Sequence, residues 1–553
     1  MSANGATLLL RFLRIAPAAA VLLLPAMARA QSLRVVPPED WRYPLLDALI
    51  LRRPAVARDV WLANRPWRAG EIAAVLSRAS ATPELSSLER QWVETLSSDE
   101  LEERGDPIVY HNQVSGRYQG DFATDQASFE PPFAPPTFSE DRGTPDHRAI
   151  LQHDFAIQYG GRFVAGWRYV FDTNIRADPT RRTRIGIRGS ERANVEVLDA
   201  YLTAVAGPVR ATVGRFTTSL GPGQATALFL SDSIPALDQI RLELIADPIR
   251  FTALVSQLSR ERPNRQLDPV GDTIEGSSPS EEDPVPFDVT RFLYLHRVDW
   301  RVIDALQVAV SEAAIVTGID RNLEFRFANP FIPFSVTQEE EDELDQENIN
   351  IVADVEAVFS LPGWRLYGDL FVEEFFIDSD KRRRIGNQLA WRGGAWWADP
   401  VGWQGGSVGL EYTRADVFTY LHRGLNTNWS TFGVPLGSSL GPDADQLYGW
   451  IDYWFTPGVV LRVDALGRRA GERSIRTLES VIEAGNPPFP SGTVQRELRG
   501  GLELWGVEPE WGLEGRARVS WTRAENIEND PAGNGDFWQL ALELIYRLEL
   551  TSR

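Results

Sequence analysis

The clearest pattern of hydrophobic and polar positions lies in residues 495–550, where side-chain character alternates with a period of two. In residues 536–550 one set of alternate positions is Leu, Trp and Tyr, and the interleaved set is mostly polar or charged. Residues 510–521 and 495–505 repeat this alternation. Because successive side chains of a strand point to opposite faces, each segment is predicted to be a strand with one apolar and one charged face.

These three segments are compatible with two folds. Segments of about ten alternating residues with aromatics near their ends, here Trp511, Trp521 and Trp538, are typical of transmembrane β-barrels. A soluble antiparallel sheet with one buried face gives the same alternation. The rest of the chain therefore has to decide between the two.

The connections between the predicted strands favour the barrel. From Pro107 onward the period of two continues through about eighteen candidate strands. Short joints such as Asp247-Pro248 and Pro362-Gly363 alternate with long polar insertions. The long insertions are residues 123–147, 259–286, 335–347, 417–445, 468–494 and 523–535. Short turns on one rim and long loops on the other are typical of outer-membrane barrels, so residues 106–553 are predicted to form an all-β transmembrane barrel.

The region before the barrel has a helical period. Leu45, Leu46 and Leu49 lie on one side of a predicted helix, and residues 68–79 predict a second one. A third helix is expected to start at Thr82-Pro83-Glu84, with Pro at its first helical position. Residues 31–105 are therefore predicted to be a small periplasmic helical bundle or plug, with a set of linker helices as the alternative.

Composition and the N-terminus indicate export to a bacterial envelope. Arg11 and Arg14 precede a short apolar stretch, and Ala28-Arg29-Ala30 supplies a cleavage site, so residues 1–30 are predicted to be a signal peptide cleaved near Ala30. The chain has no Cys and 18 Trp, which fits a barrel with aromatic belts. A formal charge of −21 argues against nucleic acid as a partner.

A series of short motifs runs through nearly the whole mature chain. The series contains Asn64-Arg65-Pro66-Trp67-Arg68, Val213-Gly214-Arg215-Phe216, Leu220-Gly221-Pro222-Gly223, Leu228-Phe229-Leu230-Ser231-Asp232, Phe327-Ala328-Asn329-Pro330 and Leu366-Tyr367-Gly368-Asp369-Leu370. In order and spacing it resembles the bacterial capsule assembly proteins of the Wzi type. The resemblance implies an outer-membrane barrel of eighteen strands with a periplasmic helical bundle, and a lectin-like role in holding exopolysaccharide or capsule at the cell surface.

Several charged and loop residues are candidates for ligand binding. The predicted inward face has both signs of charge, which either form a satisfied internal network or bind sugar hydroxyls and carboxylates. The glycine-rich motif is either a plain hairpin turn or a loop folded into the barrel, and Trp429 either stacks on a sugar or packs the loops together. The candidate ligand-binding residues are Arg215, Gly221, Pro222, Gly223, Arg297, Asp299, Asn329, Asp369 and Trp429.

The sequence contains no motif for catalysis or for a metal site. It has no HExxH, GxSxG or P-loop, and its five His have no ligand spacing. The acidic stretches 339–343 and 281–283 lack EF-hand spacing, which favours solvated loops over calcium sites.

We therefore expect a monomer that is not an enzyme and has no cofactor. Its expected partners are surface polysaccharide, outer-membrane lipid and the barrel-assembly machinery. A porin for sugars or small anionic solutes is the main alternative, and an outer-membrane glycosidase or esterase is a weaker one.

Overall fold

In the computed structural model, the described strands close into one barrel. The described residues are 32–97, 108–123, 147–173, 194–225, 227–260, 289–319, 321–339, 348–375, 386–422, 426–475 and 485–550. Within them, eighteen antiparallel strands pair in sequence order, and the last pairs with the first, for example Val114 with Leu548. The prediction of an all-β barrel is confirmed. The predicted signal peptide, residues 1–30, lies outside the described residues.

The barrel strands follow the chain without crossovers. The first nine are β1 (Ile108–Ala123), β2 (His147–Tyr159), β3 (Phe163–Asp172), β4 (Asn194–Ala206), β5 (Val209–Phe216), β6 (Leu237–Ala246), β7 (Ile249–Gln257), β8 (Val289–Ile303) and β9 (Leu306–Ile319). The other nine are β10 (Ile349–Leu361), β11 (Trp364–Glu374), β12 (Gln388–Ala398), β13 (Gly406–Ala415), β14 (Ala444–Thr456), β15 (Val459–Ala470), β16 (Gln495–Glu508), β17 (Leu513–Glu525) and β18 (Asn534–Glu549).

The period of two in the sequence separates the wall into an apolar outer face and a mainly polar inner face. In β11, Trp364, Leu366 and Leu370 are exposed, whereas Asp369 and Phe371 are buried. Apolar side chains exposed on the outside of a closed barrel, with polar ones inside, are the arrangement of a barrel surrounded by lipid. Among the described residues, no helix combines the length and apolar character needed to cross a membrane.

In residues 32–97, three α-helices precede the barrel: α1 (Arg42–Arg52), α2 (Ala69–Ser80) and α3 (Ser87–Leu96). The expected start of α3 at Thr82 is wrong. The helix begins five residues later, where Ser86 accepts a hydrogen bond from the Glu89 backbone and the Glu89 side chain accepts one from the Ser86 backbone. This reciprocal capping satisfies the backbone amides of Ser86 and Glu89, which have no intrahelical acceptor at the start of the helix.

The helices lie at the rim formed by the short turns, which we call the short-turn rim. The amide of Gly363, in the turn between β10 and β11, donates to Leu51 O at 2.9 Å. Trp92 of α3 packs edge-on against Trp454, with ring centroids 5.3 Å apart. The opposite end of the barrel, where the longer connections emerge, is called the long-loop rim. A fourth helix, α4 (Phe334–Glu339), lies in the connection between β9 and β10.

Candidate functional site

The lumen is entered from the short-turn rim by the segment that joins the first helices. Its residues Asn64–Arg65 form a two-residue strand that pairs with Ser219–Leu220, which come from the long-loop rim. Ala63 O accepts a hydrogen bond from Gly221 N at 2.9 Å. Asn64 Nδ2 also donates to Asp299 Oδ2 on the wall at 3.3 Å. The N-terminal segment and a loop from the other rim therefore meet inside the barrel.

The loop that descends is the connection between β5 and β6, residues 217–225 and 227–236, called the inserted loop. It contains the predicted candidates Gly221, Pro222 and Gly223. Gly221 has φ +148°, which favours glycine, and a Cβ on Gly223 would overlap the Arg392 guanidinium. Of the two sequence interpretations of this motif, the structure has the loop folded into the barrel.

Arg297 and Asp299, predicted to bind ligand, lie deep in the wall behind this junction. Arg297 donates to both carboxylate oxygens of Glu356 at 2.7 Å and to Asp299 Oδ1 at 2.9 Å. Arg250 Nε donates to the other oxygen of Asp299 at 3.0 Å. All four side chains are almost fully buried. Because buried charges are stable only when they are paired and hydrogen-bonded, this network stabilises the closed lumen.

Asp369, another predicted candidate, belongs to a second buried network. Its carboxylate accepts a hydrogen bond from Arg392 Nε at 2.9 Å. On the next strand, Glu411 accepts from Tyr367 Oη and from Gln224 N of the inserted loop, both at 2.7 Å. The wall of β11–β13 therefore holds the inserted loop through backbone and side-chain hydrogen bonds.

A second layer closes the long-loop rim. The connection between β13 and β14, residues 416–422 and 426–443, lies over the inserted loop and is called the outer cap. Trp429 is fully buried, stacks on Phe229 at 5.5 Å and donates from Nε1 to Phe229 O at 2.8 Å. Tyr420 Oη donates to Leu228 O at 2.8 Å. Of the two sequence interpretations of Trp429, the structure has its ring packing the loops together.

The outer cap is fixed to the neighbouring connections through Asp443. Asp443 accepts hydrogen bonds from Ser491 N at 2.9 Å and Arg473 N at 3.3 Å. Burial raises the pKa of the Asp443 carboxyl above its ordinary value, and the hydrogen bonds from Ser491 oppose that rise. This places residues 471–475 and 485–494 beside the cap, at the outer mouth of the barrel.

The outer mouth presents cations and aromatic rings, of which the sequence analysis singled out neither the two arginines nor Phe489. Arg473 lies over the ring of Phe418 at 5.8 Å, and Arg414 lies over Phe489 at 3.7 Å. Arg473 and Phe489 are both half-buried, so each keeps part of its surface open to solvent. Their positions in long insertions gave no periodic signal. Only their residue types, a guanidinium and a ring, would have marked them.

Within the described residues, a polar cavity lies on the other side of the lumen, between residues 34–40 and the inner faces of β1–β4 and β18. Arg168 and Asp154 line it, and Arg168 pairs with Asp199 at 2.8 Å. Within the described part of the chain, no group of three or more His, Cys, Asp or Glu is arranged to hold a metal. The acidic stretch 281–283 and most of 339–343 lie outside the described residues.

Two predicted candidates lie outside the lumen. Arg215 was assigned to the inward face, but it points outward and pairs with Asp238, Nε to Oδ1 at 2.8 Å. Thr212, three positions earlier on the same strand, is buried on the lumen side against Arg68. Residues an odd number of positions apart on a strand face opposite ways, so Arg215 faces outward. Asn329 lies in the connection between β9 and β10, where its Oδ1 accepts from Phe331 N at 3.1 Å. Neither side chain can contribute to a site inside the barrel.

Comparison with known proteins gives one family. The family model described as capsule assembly protein Wzi matches residues 117–535. Among solved structures, Escherichia coli Wzi superposes with a TM-score of 0.58 at 15% identity, over 92% of this chain and 99% of that one. That protein is described as a carbohydrate-binding β-barrel of the outer membrane, involved in group 1 capsule assembly.

More distant barrels are also similar. Pseudomonas aeruginosa OccD3 matches with a TM-score of 0.44 at 9% identity, over 80% of this chain and 92% of that one. OccK8 of the same organism matches with a TM-score of 0.43 at 13% identity, over 80% and 98%. These two similarities are too weak to bear on function. No curated protein sequence matches the chain at a significant level.

Proposed function

The chain belongs to the capsule assembly protein Wzi family, and from this premise we propose that it is an outer-membrane barrel that binds polysaccharide at the cell surface. In this role it helps to attach or assemble the polysaccharide there. The observation that supports this most is the filled lumen, in which the N-terminal segment, the inserted loop and the outer cap are hydrogen-bonded to one another. A barrel closed in this way has its accessible polar surface at the outer mouth.

The chemistry of the outer mouth suits an acidic glycan. A guanidinium such as that of Arg473 matches the geometry of a carboxylate on a sugar. The part of the Phe489 ring that stays open to solvent offers an apolar contact to a pyranose. Neither group is arranged with a second one for bond cleavage, so the proposed activity is binding without catalysis.

The proposed domain arrangement follows the same orientation. Residues 1–30 are the signal peptide, residues 31–105 form a helical bundle on the periplasmic side, and residues 106–553 form the barrel. We place the short-turn rim in the periplasm because short turns are periplasmic in outer-membrane barrels. The protein would be a monomer inserted by the barrel-assembly machinery.

A porin is the second candidate. The polar cavity beside β1–β4 is the observation in its favour, since polar space in the lumen could form part of a solute pathway. The inserted loop and outer cap argue against it, because a solute path would have to pass their hydrogen-bonded junctions.

The proposal is tested in cells that lack the gene and are complemented with variants. The amounts of cell-bound and released polysaccharide are measured separately. We expect Arg473→Ala with Phe489→Ala to shift polysaccharide from the cells into the medium. The control is Arg523→Ala, which removes an exposed arginine on the outward face near the same rim. If both variants are present at equal protein levels and retain equal amounts of cell-bound polysaccharide, the outer mouth is not the binding site. If the strain without the gene retains as much polysaccharide as the complemented strain, the protein has no role in polysaccharide attachment and the proposal is refuted.

A further inference from the structure

One connection of the barrel does not lie over a rim but folds back along the outside of the wall. Residues 321–339, which join β9 to β10 and include α4, are called the outer-wall loop. The side chains under it are Phe292, Tyr294 and His296 of β8. These point outward, because the alternating positions Arg291, Leu293, Leu295 and Arg297 of the same strand are buried on the lumen side.

The outer-wall loop is held to the wall by specific contacts. Phe334 stacks on His296 with ring centroids 4.3 Å apart, and Phe327 lies 5.5 Å from Tyr294. Tyr294 Oη accepts a hydrogen bond from Glu324 N at 2.9 Å. Phe327 and Phe334 are fully buried by these contacts. The loop is therefore a packed part of the barrel and not a free extension.

Beneath the loop is an ionisable pair. His296 Nδ1 and Glu312 Oε1 are 2.9 Å apart on the outer face of β8 and β9, and Phe334 N donates to Glu312 Oε2 at 3.3 Å. A charged side chain on the lipid face of a barrel is unfavourable, most of all away from the interfaces. The loop covers much of this pair and leaves the His296 side chain 9% and the Glu312 side chain 30% exposed.

The position of the outer-wall loop along the barrel axis is obtained by counting residues from the strand ends at the short-turn rim. On β18, the exposed lipid-facing residues Leu540 and Trp538 lie nine and eleven residues before the end of the strand at Glu549. On β8, Tyr294 and Phe292 lie nine and eleven residues before the end at Ile303, and both are buried under the loop. The outer-wall loop thus occupies the level at which another strand faces lipid.

At this level the outer-wall loop forms the outer surface of the barrel. Phe325 and Phe331 are 86% and 89% exposed, although Phe327 and Phe334 between and beside them are buried. Just below the loop, Trp300 is exposed on the outward face of β8. The exposed rings of the loop therefore continue the apolar outer face of the barrel.

We propose that the outer-wall loop is a membrane-interface anchor whose Phe325 and Phe331 insert among the acyl chains of the outer leaflet. They take the place of the aromatic girdle that Phe292 and Tyr294 would form if they were uncovered. Its occupant is lipid, because the loop lies on the wall at lipid height and is continuous with the lipid-facing side chains around it. The inference does not depend on the proposed binding of polysaccharide.

The absence of Cys from the chain allows a direct test. Phe325→Cys and Phe331→Cys each give a single thiol at an exposed position, in the full-length protein reconstituted into phospholipid vesicles. A nitroxide label on each thiol is then tested for collision with oxygen, which concentrates in acyl chains, and with a water-soluble nickel chelate. Leu540→Cys on β18 is the lipid-facing control, and Ala532→Cys in the connection between β17 and β18 is the aqueous control.

We expect both phenylalanine positions to give the oxygen-dominated accessibility of the Leu540 control. Accessibility to the nickel chelate equal to that of the Ala532 control would place the loop in water and overturn the proposal. Low accessibility to both reagents would show that protein covers the rings. That result would also overturn the proposal and would indicate a second copy of the chain as the occupant. Both substitutions are at side chains without core contacts, so the barrel should fold, which heat-modifiable migration on gels verifies.

Discussion

Replacing Arg297 by Met should destabilise the barrel far more than the same replacement at Arg215. The Arg297 guanidinium donates to Glu356, Asp299 and Ser311 on the wall and to Ala63 O of the N-terminal segment. Met has a similar length and no charge. The substitution therefore removes these hydrogen bonds without creating a large cavity.

The size of the destabilisation follows from the buried carboxylates that lose Arg297 as a partner. Asp299 keeps Arg250 and Asn64 as partners, whereas Glu356 is 1% exposed and loses its cation. Leaving one buried charge unpaired costs about 3–5 kcal/mol. Arg215 pairs with Asp238 on the outer face, where the side chains are 27% and 51% exposed, and removing such a pair costs about 0–1 kcal/mol.

The assay is urea unfolding of the refolded protein in lipid vesicles, followed by tryptophan fluorescence and by gel migration with and without heating. Arg215→Met is the matched control. Combining Arg297→Met with Glu356→Gln should restore much of the lost free energy of unfolding, because the second change removes the orphaned charge. A difference below about 1 kcal/mol between Arg297→Met and Arg215→Met would refute the view that this network holds the lumen closed.

Three further predictions concern the closed lumen and the helices. The intact protein in a planar bilayer should show no steady open steps, because the inserted loop and the outer cap close the lumen; large steps from the intact chain would favour the porin. Gly223→Val should displace the inserted loop, because the valine side chain would overlap Arg392. Protease cleavage of the folded protein at that loop would reveal the displacement. Gly223→Ala should cause a smaller displacement. Burial raises the pKa of Glu89, but hydrogen bonds from Arg53 and Ser86 outweigh it and hold that pKa below the ordinary value. The ionised carboxylate therefore stabilises the helices above the unfolded pKa, and this contribution is lost as the pH falls through the lower folded pKa. The loss of unfolding free energy in Glu89→Gln should accordingly shrink between pH 7 and about pH 3; a loss that stayed constant over this range would contradict the assignment.

The barrel could be predicted from the sequence because its signal is local. In β11 each residue's neighbours two positions away already show which face it lies on, and the turn at Pro362-Gly363 marks where the strand ends. The start of α3 was missed because two start signals compete there. The Ser86 and Glu89 capping pair prevails over Pro83, since it satisfies two backbone amides.

The candidate site could be predicted only in part, because its residues are brought together by tertiary contacts. Arg297 and Asp369 were correctly placed on the inner face, but their partners Glu356 and Arg392 lie on other strands and decide that these charges are internal pairs. Arg215 was placed inside because it is charged. It lies one residue from the long-loop end of β5, where a charge faces the membrane boundary at little cost.

The outer-wall loop shows the limit of periodicity most clearly. Phe325, Phe327, Phe331 and Phe334 have no regular spacing that separates the two exposed rings from the two buried ones. Their division depends on the outward side chains of β8, a strand about thirty residues earlier in the chain. A pattern within the loop could not contain that information.

The central claim is that this barrel, closed along its lumen, binds surface polysaccharide at its outer mouth. The most direct test is a binding isotherm of the intact protein in vesicles with polysaccharide purified from the surface of the organism that encodes it. We predict saturable binding that weakens about tenfold or more in Arg473→Ala with Phe489→Ala, a loss of roughly 1.4 kcal/mol, and that is unchanged in Arg117→Ala, which alters the lumenal cavity. Absence of saturable binding, or binding that is lost with Arg117→Ala and kept without the outer-mouth side chains, would contradict the account.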